Sequence, residues 1–161
     1  MRSPIPESHR DLLERPLFVH PATIRPDGGP QVNPLWCSWD GTRLRFTGIR
    51  TRFKFRDVTA DPRVAACVND PDEPYRHPEI RGVVERVDDD SSGAFFAELA
   101  ERYRRELDGR LPPDVEDRAV YVVRPTAVSH QRAARTGPRR SCAPRPRPGR
   151  TGRARGPVPR P

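Results

Sequence analysis

QVNPLWCSWDGTRLRFTG, residues 31–48, decides the fold class of this chain. Two runs rich in β-branched and aromatic residues, 31–39 and 42–48, flank Asp40-Gly41, a dipeptide that favours a two-residue type I′ hairpin because both residues tolerate positive φ. So short a connection leaves no room for a crossover helix, so the pair is antiparallel. Working outward, LFVHPATIR (17–25) reads as a strand interrupted by Pro21, followed by the turn PDGGP. RVAACVND (63–70), EIRGVVERVD (79–88) and RAVYVVRPTAV (118–128) read as three more strands, with Gly82 a candidate bulge. Six strands with hairpin connections and few helices predict a mainly β fold, a six-stranded antiparallel sheet or barrel and not a doubly wound α/β fold.

Three helices complete the pattern. SHRDLLERP (8–16) has Ser8 as a cap, Asp11 in a capping-box position and Pro16 as a stop. TRFKFRDVTADP (51–62) predicts a short helix with Thr51 as its candidate cap. In SSGAFFAELAERYRRELDG (91–109), opened by Ser91 or Ser92, the residues Phe96, Leu99, Ala100, Tyr103 and Leu107 recur at helical spacing and form a core stripe.

Charge divides the chain in two. The net charge of +8 comes from residues 130–161, which hold ten arginines and no acid; residues 1–129 carry 20 basic and 22 acidic residues, a net of −2. The 130–161 segment also has seven prolines and a single Val, too little apolar surface to offset chain entropy, and is expected to be a disordered tail after a single domain at 1–129. Ten arginines could serve as an arm for nucleic acid or another anionic surface; a solvated extension is the favoured reading. Cys37, Cys67 and Cys142 are odd in number with no C-x-x-C pair, which argues against a disulfide framework or zinc site and for a reducing cytoplasm. No signal peptide and no run of ~20 apolar residues is present, so no membrane partner is expected.

The familiar catalytic constellations are missing: no G-x-S-x-G, H-E-x-x-H, Walker A loop or G-x-G-x-x-G occurs, and His9, His20 and His77 are isolated. If the chain is an enzyme, a bound cofactor carries its reaction. Attention therefore falls on residues 48–62, GIRTRFKFRDVTADP, where the one lysine of the chain, Lys54, stands among Arg50, Arg52 and Arg56. Read as extended, the alternation of cations with Phe53 and Phe55 describes a solvated edge strand, or a surface for single-stranded nucleic acid. Read as a helix starting near Thr51, it crowds three cations into the first turn, where the helix dipole disfavours each by ~0.3–1 kcal/mol. An anion in the site removes that conflict, and backbone N–H groups, guanidinium groups and one ammonium together suit a phosphate.

These residues resemble a known family. The segments ATIRPDGGPQVNPLW, WDGTRLRFT, RTRFKFRDVTADPRVA and EIRGVVE, in that order, and then GAFFAELAERY and VYVVRPTAVS, are similar to the pyridoxamine 5′-phosphate oxidase-like split-barrel flavoproteins. The similarity spans roughly residues 5–129 and is greatest with the branch of coenzyme F420-dependent oxidoreductases. The resemblance implies a six-stranded split β-barrel that forms a homodimer, with a deazaflavin (F420), or alternatively FMN, in a groove between subunits. It assigns the cofactor phosphate to Arg50, Arg52 and Lys54, with Thr47 nearby, and the ring to Asn33, Pro34 and Trp36. Tyr75, Arg76, Glu79 and Arg81 are implied to reach the same groove, from the partner subunit if not from their own. The implied reaction is hydride transfer between the cofactor and a small organic substrate, with no side chain acting as nucleophile. Two further expectations are a non-catalytic flavin or tetrapyrrole binder of the same fold, and nucleic-acid binding through the basic tail. Pro21, Cys37 and Ser38 depart from the family pattern, as does the tail.

Overall fold

In a computed structural model of the chain, the described residues are 4–132. Seven antiparallel strands form one sheet: β1 (His20–Ile24), β2 (Pro30–Val32), β3 (Cys37–Trp39), β4 (Leu44–Ile49), β5 (Arg63–Cys67), β6 (His77–Asp89) and β7 (Arg118–Gln131), in the order β2-β1-β5-β6-β7-β4-β3. The mainly β antiparallel fold is as expected; the strand count is seven and not six. The segment expected as one strand, 31–39, is split at Asn33-Pro34 into β2, which pairs with β1, and β3, which pairs with β4. The sheet does not close by strand pairing; among the described residues an isolated bridge between Val19 and Leu35 joins its two ends.

Pro21 explains that break. β1 pairs with β2 from Ala22–Val32 to Ile24–Pro30, and Val19–Leu35 continues the same register two residues beyond the unpaired position Pro21–Asn33. A proline has no N–H to donate there. Its carbonyl accepts instead from Lys54 Nζ at 3.2 Å, so a side chain from the following helix fills a gap in the ladder.

The turn between β3 and β4 is not type I′. Trp39 pairs with Leu44, and Asp40 Oδ1 accepts from the N–H groups of Thr42 and Arg43 at 2.8 and 2.6 Å. Gly41 has φ +95°, but its expected partner Asp40 is not in the positive-φ region that type I′ demands of both central residues, and neither is Thr42. Gly82 does mark a bulge, where the β6–β7 register shifts. A Cβ at Gly82 would come within 2.6 Å of the Arg124 carbonyl, so only glycine allows that approach.

The first half of β7, Arg118–Val123, is buried on both faces, which is why AVYVV reads as a continuous apolar run, whereas the strand from Arg124 on is mostly exposed. Tyr121 and Val123 face the main core with Leu44, Phe46, Val64, Ile80 and Val84, whereas Val120 and Val122 pack under the helix α3 (Ala94–Arg102) against Phe95 and Leu99. α3 is shorter than its pattern predicts: it ends at Arg102, with Arg104 at φ 53°. Its opening differs as well. Gly93 is the cap residue, and the buried Asp90 accepts from the N–H groups of Phe95 and Phe96 at 2.8 and 3.1 Å, a role expected of Ser91 or Ser92. Phe95, not Phe96, is on the buried stripe.

The N-terminal segment is a 3-10 turn (Glu7–His9) and a five-residue helix, α1 (Arg10–Glu14), that buries Leu12 and Leu13. Asp11 does not cap it but binds Arg76. At the other end β7 takes in His130 and Gln131, two residues past the expected domain boundary; the rest of the expected tail, from 133 on, lies outside the described residues.

Candidate cofactor site

The helix α2 spans Phe53–Ala60, with Arg52 as its extended N-cap residue and no side-chain cap; Thr51 is exposed and outside it. α2 packs on β1 and β4 at the point where β1 has parted from β2. That placement creates an open cavity of about 380 Å³, lined by Gln31, Asn33, Leu35, Thr47, Gly48, Ile49, Arg52, Phe53, Lys54 and Arg118. The ladder break at Pro21–Asn33 and the start of α2 thus lie on one site.

Lys54 is only 6% exposed, although α2 presents it at the second helical position. Its hydrogen-bond partner among the described residues is the Pro21 carbonyl. Burial pushes its pKa below the ordinary lysine value, while the Asp57 carboxylate pulls in the other direction. Asp57 is itself buried and accepts from Thr23 Oγ1 at 2.7 Å, which fixes the carboxylate one turn along the helix from the lysine. An ammonium with three donors and one protein acceptor has donors to spare for whatever occupies the cavity it lines.

Arg118, at the head of β7, is the cavity's second buried cation at 8% exposed. Its Nη1 donates to Thr47 Oγ1 at 3.2 Å and its Nη2 to Asp114 Oδ1 at 3.0 Å, and its guanidinium carbon lies 4.0 Å from the Phe96 ring centre. Its Nε, like Asn33 Oδ1, is buried without a partner among the described residues. The sequence reading missed Arg118. The signal for it was a cation opening the otherwise apolar run AVYVV, where a buried charge needs a reason.

Of the residues expected at the site, Thr47, Arg52, Lys54 and Asn33 are brought together, and Pro34 is exposed beside Asn33. Arg50 turns away, pairing with Asp89 at 3.2 Å. Trp36 stacks on Tyr103 and Phe96, with ring centres 5.1 and 5.6 Å apart, and so belongs to the α3 contact. Within one chain the remaining four stand elsewhere. Tyr75 is an exposed loop residue, and Arg76 ties that loop to the N-terminal segment through Asp11 and the Ser8 carbonyl while also binding Asp70 within the loop. Glu79 accepts from Ser129, and Arg81 lines a separate cavity on the sheet face of β1, β5 and β6. Cys37 and Ser38 are both buried away from the cavity; the Cys37 N–H donates to Tyr103 Oη at 3.1 Å.

The profile of the pyridoxamine 5′-phosphate oxidase family matches residues 5–132. The chain belongs to that family. A solved structure named F420 reductase is 52% identical, covers 78% of this chain and 98% of its own, and superposes with a TM-score of 0.74. Two more distant structures share the fold: a conserved hypothetical protein from Mycobacterium tuberculosis (19% identical, 79% and 84% covered, TM-score 0.62), and general stress protein 26 from Bacillus anthracis (16% identical, 78% and 92% covered, TM-score 0.60). No curated protein matches the sequence.

The cavity of this family member fits a phosphate-bearing cofactor by its own chemistry. Lys54 and Arg118 are buried cations with unused donors, Arg52 adds a third cation at the mouth, and the N-terminus of α2 has no side-chain cap. The orphaned Asn33 Oδ1 is an acceptor, suited to a ring N–H or a polyol hydroxyl and not to the phosphate. Among the described residues, no group of His, Cys, Asp and Glu could hold a metal ion, and no helix is long and apolar enough to cross a membrane.

Proposed function

We propose that this chain is an oxidoreductase that transfers a hydride between bound F420 and a small organic substrate, with FMN as the alternative cofactor. The observation that carries the reading is Lys54, buried at a helix start with the Pro21 carbonyl as its hydrogen-bond partner and spare donors beside a cavity. The 52% identity to an F420 reductase across nearly all of that structure's length favours deazaflavin over FMN. The cofactor's ring supplies the hydride chemistry when bound.

The protein's own residues bind and orient. Lys54, Arg52 and the first N–H groups of α2 hold the phosphate. Asn33 accepts from the ring or polyol and sets its register against the ladder break. Leu35, Ile49 and Phe53 exclude water from one side of the cavity. That cavity is open, and Phe53 at its rim is 55% exposed. A homodimer in which the second copy covers this rim completes the groove, in keeping with the family resemblance.

Turnover distinguishes this reading from a non-catalytic binder of the same fold. The purified chain is loaded with reduced F420 and offered organic two-electron acceptors, and reoxidation is followed by absorbance. Reoxidation that depends on both protein and acceptor is expected. Cofactor that binds and is never reoxidised would favour the binder.

A further inference from the structure

We infer that Arg118 acts as a positioning residue that turns the Thr47 hydroxyl into an obligate donor to the anion in the cavity. The inference rests on the phosphate reading of the site and deepens it. Thr47, on β4, is 7% exposed and lines the same cavity as Lys54. A threonine hydroxyl can donate or accept; an anion takes it only as a donor, so a hydroxyl whose rotor is set before the anion arrives has no ordering left to lose. Here the choice is made by Arg118. A guanidinium has donors only, so the 3.2 Å contact from Arg118 Nη1 occupies a lone pair on Thr47 Oγ1. The hydroxyl proton must then point elsewhere, and with no protein acceptor for it among the described residues it is left to the cavity that Thr47 lines.

Arg118 is held for that task from three sides. Asp114 accepts from Nη2 at 3.0 Å, the Phe96 ring lies under the guanidinium at 4.0 Å, and the backbone is fixed where β7 pairs Arg118 with Ile49. Its charge is largely answered by Asp114, so its contribution to the ligand comes through the orientation of Thr47 more than through its own field. Two residues 71 positions apart in sequence therefore make one donor.

A double-mutant cycle tests this on the full chain, with FMN and F420 as probes and riboflavin, which lacks the phosphate, as the control. Thr47→Val and Arg118→Met should each weaken FMN and F420 binding by about tenfold, the worth of one hydrogen bond to a charged group. The double variant should be no weaker than about threefold beyond either single variant, because both remove the same donor. Thr47→Ser should restore affinity, and riboflavin binding should not respond to any of the substitutions. If Arg118→Met does not fold, Arg118→Gln replaces it, since its amide oxygen accepts the Thr47 proton and turns it from the cavity. Additive losses, about a hundredfold in the double variant, would mean that Arg118 acts on the anion directly and would overturn the inference while leaving the phosphate reading intact. A wild-type chain that binds neither FMN nor F420 overturns both.

Discussion

Replacing Lys54 by Met separates binding from stability in a way that a merely structural lysine would not. The methionine keeps most of the buried stem and removes the ammonium. On the binding side the loss is one charge-assisted contact to phosphate, ~1.5–3 kcal/mol, or about 10- to 150-fold in Kd. On the stability side two effects oppose. The Pro21 carbonyl loses its 3.2 Å donor, about 1 kcal/mol, but the fold no longer buries a charge that burial disfavours. The sign follows from linkage: the folded-state pKa lies below the unfolded one, so the protonated lysine weakens the fold at neutral pH, and this cost fades only as pH rises through the folded and toward the unfolded value. The net change should fall within about 1 kcal/mol, a Tm shift of a few degrees in a domain of this size. Fluorescence titration with F420 and FMN gives Kd, and calorimetry of the ligand-free protein gives Tm. Affinity within threefold of wild type, or a loss of affinity that only tracks unfolding, would refute the assignment.

Four further perturbations follow from the same geometry. Cofactor affinity should decline as pH rises into the alkaline range and begin to do so below the pH at which an ordinary lysine deprotonates; Asp57→Asn, which keeps the Thr23 hydrogen bond but removes the charge that supports Lys54, should move that decline to lower pH in titrations across a pH series. Gly48→Ala drives a Cβ into the Cε2 edge of the fully buried Tyr121 ring and should destabilise the fold by ~2–3 kcal/mol in denaturant melts. Arg76→Ala should lower stability by ~1–3 kcal/mol, because it frees Asp11, Asp70 and the Ser8 carbonyl at once, and leave cofactor Kd unchanged. A chain ending at Arg132, which keeps all of β7, should retain cofactor binding and lose any salt-dependent affinity for single-stranded nucleic acid.

Local pattern made most of the elements legible. The pairing of β3 with β4 and the existence of α3 depend on neighbours within a few residues, which is the range that composition and spacing report; a glycine inside a strand pattern marked the bulge at Gly82, although the Arg124 carbonyl that requires it is distant in sequence. What escaped the sequence depends on contacts between distant segments. The division of 31–39 into two strands follows from Pro21, a residue on the facing strand. Asp90 caps α3 from outside the serine pair that looked suited to the task, because a carboxylate reaching two N–H groups at 2.8 and 3.1 Å satisfies more of the helix start than one hydroxyl. At the site, Lys54 and Arg52 stood out as cations in a helix's first turn. Arg50 shared that placement, yet it lies outside the helix and finds a carboxylate 39 residues away. Arg118 carried no local signature beyond a charge at the head of an apolar strand, and its partners Thr47 and Phe96 are brought to it only by the sheet and α3.

The most direct test of the central claim, that the cavity between β4 and the start of α2 holds a cofactor phosphate, is an equilibrium titration of the purified wild-type chain with F420, FMN and riboflavin under identical salt and pH. Saturable binding of F420 or FMN at one per chain, with riboflavin at least tenfold weaker, is predicted. Binding of neither phosphate-bearing cofactor, or riboflavin bound as tightly as FMN, would contradict it.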